Sequence, residues 1–207
     1  MQNEKATMRR TNLAEKAGEF LIGNDLRVTR LGYGAMRITG SGVWGEPANR
    51  AEAIQVLRKA VELGINFIDT ADSYGPNVSE EIIAEALHPY PATLVIATKG
   101  GFDRTGPNQW VENGRPEHLR AACEGSLRRL KLDRIDLYQL HRIDPKLPAE
   151  DQLGTLKDLQ AQGKIKHIGL SEVSVEQIKH ARTIVSIVSV QTSGASGMVS
   201  ARSSRWY

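Results

Sequence analysis

The feature that most constrains this chain is a beat of about 30 residues, in which a short β-rich run is followed by an amphipathic stretch with apolar residues at helical spacing. Segments 27–36, 66–71, 94–100, 135–142, 164–171 and 185–191 read as strands, and 49–64, 79–88, 116–130, 149–164 and 174–184 as the helices between them. Asn49 and Ser79 stand where N-caps are expected, and Gly64 and Gly163 where glycines close helices. Ahead of the first unit, "EFLIGNDLRVTRL" reads as a hairpin turning at Gly23, Asn24 and Asp25. Such alternation makes a parallel sheet, either open and doubly wound or closed into a barrel. The strand ends choose between them. Asp69, Lys99, His141, Ser171 and Gln191 end five consecutive strands, and a barrel gathers all such ends over its axis, whereas an open sheet spreads them in a line.

A chain of 207 residues can bury one sizeable core. Its 40% hydrophobic and 25% charged residues are ordinary globular usage. No apolar run approaches the roughly 20 residues that span a bilayer, and the first residues lack a signal-peptide stretch, so a cytoplasmic protein without membrane contact is expected. The net charge of +3 is mild and its basic residues are scattered over helix faces, which argues against nucleic-acid binding. Cys123 is the single cysteine and sits at a helical packing position.

One motif favours the open sheet. "GSGVWG", with Gly40, Gly42 and Gly45, fits a dinucleotide fingerprint and has Asp69 at the end of the next strand. In that fingerprint, however, the glycines turn directly into the helix that receives the pyrophosphate. Here Trp44 intrudes and Glu46, Pro47, Ala48 and Asn49 delay the helix, so the segment is expected to be a mobile loop at the barrel mouth.

The chemistry lies in "NFIDTADSYG", where Asp69 ends a strand and Tyr74 follows five residues later. A phenol with an ordinary pKa of about 10 donates its proton poorly at neutral pH, and a nearby ammonium would lower that value. Lys99 can supply the ammonium, Asp69 can keep it charged and oriented, and His141 can hydrogen-bond a carbonyl oxygen beside the phenol. The set suits carbonyl reduction. Taken singly, the same residues also read as a structural ion pair, a loop anchor and a core histidine. A metallohydrolase with His141, Asp144 and Asp69 on a divalent ion is a second reading, against which Lys99 would repel the metal; no metal ligand set is assigned.

These motifs resemble the aldo-keto reductase family. "FIDTADSYG" carries the aspartate and tyrosine, "VIATKG" the lysine and "DLYQLHR" the histidine, and the resemblance spans roughly residues 18 to 191. It implies a (β/α)8 TIM-type barrel with an N-terminal β-hairpin across its floor, and NAD(P)H-dependent reduction of an aldehyde or ketone. Tyr74 is then the general acid, Lys99 and Asp69 tune it, and His141 orients the carbonyl. The resemblance further implies cofactor contacts from Gly34, Ala35, Met36, Asp69, Ser171, Glu172 and Gln191, with NADP(H) ahead of NAD(H) and a small carbonyl compound as substrate. Glu172 stands where the family most often has asparagine. Trp44 and Trp110, on loops 39–47 and 101–116, are candidate pocket walls.

A barrel of this type uses about 250 residues, and the periodic pattern stops after six units at Gln191. The expected organisation is a polar segment 1–17, a barrel lacking its last two units over 18–191, and a Ser/Gly/Arg-rich tail 192–207 read out of frame. Loss of the family's phosphate-binding segments would weaken cofactor anchoring and impair activity. A non-catalytic remnant or binding module on the same scaffold is the alternative that this organisation leaves open, and oligomeric state has no signature in the sequence.

Overall fold

The computed structural model describes residues 13–192. The expected tail from residue 193 onward, and the first twelve residues of the expected polar segment, lie outside the described residues.

A 3-10 helix, Leu13–Ala17, leads into the hairpin of β1 (Glu19–Ile22) and β2 (Leu26–Thr29), which pair antiparallel. Its turn works because Gly23 and Asn24, residue types that tolerate the left-handed region, both take positive φ while Asp25 N–H donates to the Ile22 carbonyl. The six remaining major strands are β3 (Tyr33–Gly34), β4 (Phe67–Asp69), β5 (Val95–Gly100), β8 (Ile135–Leu140), β9 (Ile165–Ser171) and β10 (Ile187–Gln191). Among the described residues all neighbours in this sheet are parallel and lie in sequence order, with no switch point where the order reverses. That order rules out the doubly wound arrangement that the glycine motif suggested.

The sheet is also strongly curled. Gln191 of β10 hydrogen-bonds Asp69 of β4 at 3.0 Å although three strands separate them. In a flat sheet that step would be about 19 Å, four times the roughly 4.8 Å strand spacing, far beyond two side chains. The architecture is therefore an incomplete (β/α)8 barrel of six consecutive strands.

Helices α1 (Arg50–Glu62), α2 (Val78–Leu87), α3 (Pro116–Leu130), α4 (Ala149–Ala161) and α5 (Val175–Ile184) cover the outer face, each against the next. Asn49 caps α1 by accepting from Glu52 N–H, and Gly64 and Gly163 take positive φ just past their helices, as expected. Outward residues of β4 and β5 pack with α1 and α2, and those of β8 and β9 with α3, α4 and α5, where Cys123 is fully buried.

On the inner face, strand alternation sorts side chains by height. Val95, Ala97 and Leu137 near the strand starts meet Ile22, Leu26 and Val28 of the hairpin in an apolar floor. Two and four residues further along the same faces come Lys99, Gln139 and His141. Asn66 pegs the hairpin to the sheet by accepting from Thr29 N–H and donating to the Arg27 carbonyl.

Three local expectations are corrected. The expected first strand 27–36 is cut in two, because residues 27–29 pair within the hairpin and Ala35–Ile38 coils into a 3-10 helix. Ser79 does not cap α2, which begins at Val78 after Asn77 at φ +71; instead its hydroxyl, deep in the interior, bonds Thr70 Oγ1 and the Ala35 carbonyl. Segment 101–116 is more than a loop, since it contains the antiparallel hairpin of β6 (Phe102–Gly106) and β7 (Gln109–Glu112).

Candidate active site

Where the inner face turns polar, Lys99 of β5 organises the surroundings. Its Nζ donates to Asp69 Oδ2 at 2.7 Å, to the Thr70 carbonyl at 2.8 Å and to the Tyr74 hydroxyl at 3.4 Å. With the lysine side chain 1% exposed and the aspartate 14%, the pair is desolvated and its geometry is held by further donors. Gln139 Nε2 donates to Asp69 Oδ1 and Gln191 Nε2 to Asp69 Oδ2, both at 3.0 Å. Asp69 is thus the acceptor that ties β4, β5, β8 and β10 together.

Tyr74 sits on the segment that links β4 to α2. The chain doubles back there, with Asp72 N–H on the Lys99 carbonyl and Gly75, at φ +107, exchanging backbone bonds with residues 43 and 45. These bonds, together with Asn108 N–H donating to the Gly42 carbonyl, fasten the glycine-rich segment 40–45. The expected loop at the mouth is thus tied through Gly42, Val43 and Gly45 to two neighbouring segments.

His141 faces the phenol edge-on, ring centroids 5.7 Å apart, with its Nδ1 3.2 Å from Ser73 Oγ. Burial, then the cations Lys99, Arg142 and Arg104, push its pKa well below the ordinary value, so the imidazole is neutral. Tyr74 departs from expectation. Burial pushes its phenol up and outweighs the lowering by Lys99, because most of the ring and hydroxyl have lost water; Asp69 raises it further, and Arg142 adds the smallest lowering.

A cavity of about 470 Å³ opens over these groups, lined among others by Met36, Phe102, Trp110, Arg142, Ser171 and Gln191. Asp69, Tyr74, Lys99 and His141 are therefore brought together, and Met36, Trp110, Ser171, Glu172 and Gln191 reach the same space. Gly34 and Ala35 do not line this cavity: Ala35 is packed in the outer core and its carbonyl is taken by Ser79. Trp44 also stands apart, 5.7 Å from the Arg104 guanidinium carbon. Asp144 is occupied by the backbone N–H groups of Gly114 and Lys146.

Sequence reasoning missed Gln139, Ser73 and Arg104. Gln139 was within reach, since it lies on β8 two residues before His141, which directly follows that strand and continues its alternation.

The family model for the Aldo/keto reductase family matches residues 30–194. The chain belongs to that family. As an aldo-keto reductase it is 52% identical over 178 residues to an uncharacterized oxidoreductase of Schizosaccharomyces pombe, covering 86% of this chain and 58% of the relative. It is 46% identical over 170 residues to pyridoxine 4-dehydrogenase of Escherichia coli, covering 79% of this chain and 59% of that protein. Among solved structures, the glycerol dehydrogenase of Gluconobacter oxydans superposes with a TM-score of 0.77 at 32% identity, over 85% of this chain and 55% of the other. The aldo-keto reductase chain thus spans rather more than half the length of the relatives it matches. Among the described residues, no helix is long and apolar enough to cross a membrane.

Proposed function

We propose that the protein reduces an aldehyde or ketone to an alcohol with a nicotinamide cofactor, with Tyr74 as general acid. The observation that carries this reading is the chain of contacts Asp69–Lys99–Tyr74 at the wall of a cavity. Because Lys99 donates to the phenol oxygen, the phenol's own proton is free to point at a substrate oxygen. The raised pKa keeps that proton in place at neutral pH until charge develops on the substrate oxygen, when the adjacent ammonium stabilises the phenolate left behind. In this reading Ser73 Oγ–H donates to His141 Nδ1, 3.2 Å away, which assigns the neutral ring's proton to Nε2, from where it donates to the same carbonyl oxygen.

A bound nicotinamide would supply the hydride to the carbonyl carbon, and the proton from Tyr74 completes the alcohol. Residues suited to hold its carboxamide are Ser171, Gln191 and Glu172. Gln191 Oε1 is buried and without a partner among the described residues while its Nε2 is committed to Asp69, so it offers an acceptor for an amide N–H. Met36, which lines the cavity, would flank the ring. NADP(H) is taken ahead of NAD(H), a cytoplasmic setting is assumed, and the alcohols in the names of the pyridoxine and glycerol dehydrogenase relatives make small alcohols and their aldehydes or ketones the substrate class to test.

The test is Tyr74→Phe in the full chain. Following nicotinamide oxidation with an aldehyde, kcat should fall by about 10² to 10⁴ with the fold unchanged by circular dichroism. Equal turnover by the two proteins would remove Tyr74 from the chemistry.

A further inference from the structure

The hairpin of β6 and β7 hangs beside the cavity, and one side chain on it is engaged at every nitrogen. Arg104 donates through Nη1 to the Ser73 carbonyl at 2.6 Å, through Nη2 to the carbonyls of Gly42 at 3.2 Å and Gly106 at 3.4 Å, and through Nε to the Gln109 carbonyl at 2.8 Å. Its guanidinium carbon lies 3.6 Å from the Trp110 ring centroid and 5.7 Å from that of Trp44. A planar fork with five donors can stack on an indole and grip several carbonyls at once, which a lysine cannot.

What Arg104 grips matters more than the number of bonds. Ser73 is the residue before Tyr74 and the partner of His141 Nδ1. Trp110 stands edge-on to Tyr74 at 6.4 Å and to His141 at 6.2 Å, and with Phe102 it walls the cavity. Gly42 belongs to the loop that bonds Gly75 on the other side of Tyr74. A single guanidinium therefore sets the distance between the aromatic wall and the proton-donating segment.

We propose that Arg104 is a positioning and specificity residue: it presets Trp110 as a rigid wall, so that planar aromatic carbonyl compounds are favoured over small aliphatic ones. This rests on the carbonyl-reduction reading above. A ring lying against a wall already held in place binds without the cost of ordering that wall, whereas a substrate too small to reach Trp110 gains nothing from it.

Two readouts test this in the full chain. In steady-state kinetics, Arg104→Gln should lower kcat for both aldehydes to a similar degree by releasing the Ser73–Tyr74 segment, while raising KM about tenfold for nitrobenzaldehyde and less than about twofold for propanal. Arg104→Lys, which keeps the charge but loses the fork, should raise that KM about threefold. An equal change in KM for both aldehydes, or a change confined to kcat, would overturn selection by the wall. The second readout needs no turnover. The protein has three tryptophans, so a Trp206→Phe background leaves Trp44 and Trp110 as reporters, and Arg104→Gln should make their emission more accessible to acrylamide; unchanged quenching would overturn the clamp. Should the Gln variant lose its circular dichroism, Arg104→Lys carries both measurements. A wild-type chain that reduces neither aldehyde defeats the carbonyl-reduction reading and selection with it, while the quenching result still decides the clamp.

Discussion

Thr98 and Lys99 are neighbours on β5, yet they serve two buried charge clusters of different kinds. On the outer face, Thr98 Oγ1 donates to Glu80 Oε1 at 2.6 Å and Arg129 Nε to Glu80 Oε2 at 2.7 Å, which staples β5 to α2 and α3. On the inner face, Lys99 meets Asp69 at the same 2.7 Å but also reaches a phenol beside a cavity. Glu80 is wholly buried, so it is the more completely desolvated of the two carboxylates, although its partner Arg129 is more exposed than Lys99. Burial of an ion pair is therefore no mark of chemistry. What separates the clusters is open space next to a group whose proton can leave.

Removing one cation sharpens this contrast most. Lys99→Met should cost about 10² to 10⁴ in turnover, through loss of phenolate stabilisation, and about 3 to 5 kcal/mol of stability by leaving Asp69 without its counter-ion. Kinetics and urea unfolding on one preparation read both. On the outer face, Glu80→Gln should cost a similar 3 to 5 kcal/mol by leaving Arg129 unpaired, while turnover per folded molecule holds. A large kinetic defect in that variant would break the distinction.

Asp72 lies between the two clusters in sequence, and it gives a pH signature. Burial, then repulsion from Glu80, push its carboxyl up to about 8. The folded state thus holds a proton that the unfolded chain releases near pH 4, so this group's contribution is complete below about pH 4 and is lost as pH rises toward 8. Asp72→Asn should leave stability near pH 4 almost unchanged and raise it by about 2 to 4 kcal/mol at pH 8; unfolding curves at the two pH values check the sign. The smallest effect is expected for Thr98→Val, which keeps shape but deletes the donor to Glu80, at about 1.5 to 3 kcal/mol and with no change in kinetics.

Much of this was legible in the chain. Five of the six strands and all five helices lie where the periodicity puts them, because period 2 and period 3.6 are properties of a segment alone. The assembly of Asp69, Lys99 and His141 follows from the parallel strands whose ends they mark or, for His141, directly follow. The failures share a cause. The first strand was overdrawn because residues 27–29 could pair with either of two neighbours, and only the hairpin's register decides. Ser79 looks like a cap until Thr70 and the Ala35 carbonyl claim its hydroxyl from distant parts of the chain. Arg104 has no signal at all, since its stretch carries no complete period and its partners come from three separate segments.

The sequence by itself determined the order of strands and helices, the hairpin ahead of them and the polar strand ends, since each depends on residues close along the chain. Tertiary structure alone decided that the sheet curls until Gln191 touches Asp69, that Arg104 ties the Trp110 wall to the Tyr74 segment, and that the tyrosine's pKa moves up instead of down. Those outcomes turn on desolvation and on contacts between remote segments, which exist only once the chain has closed around them.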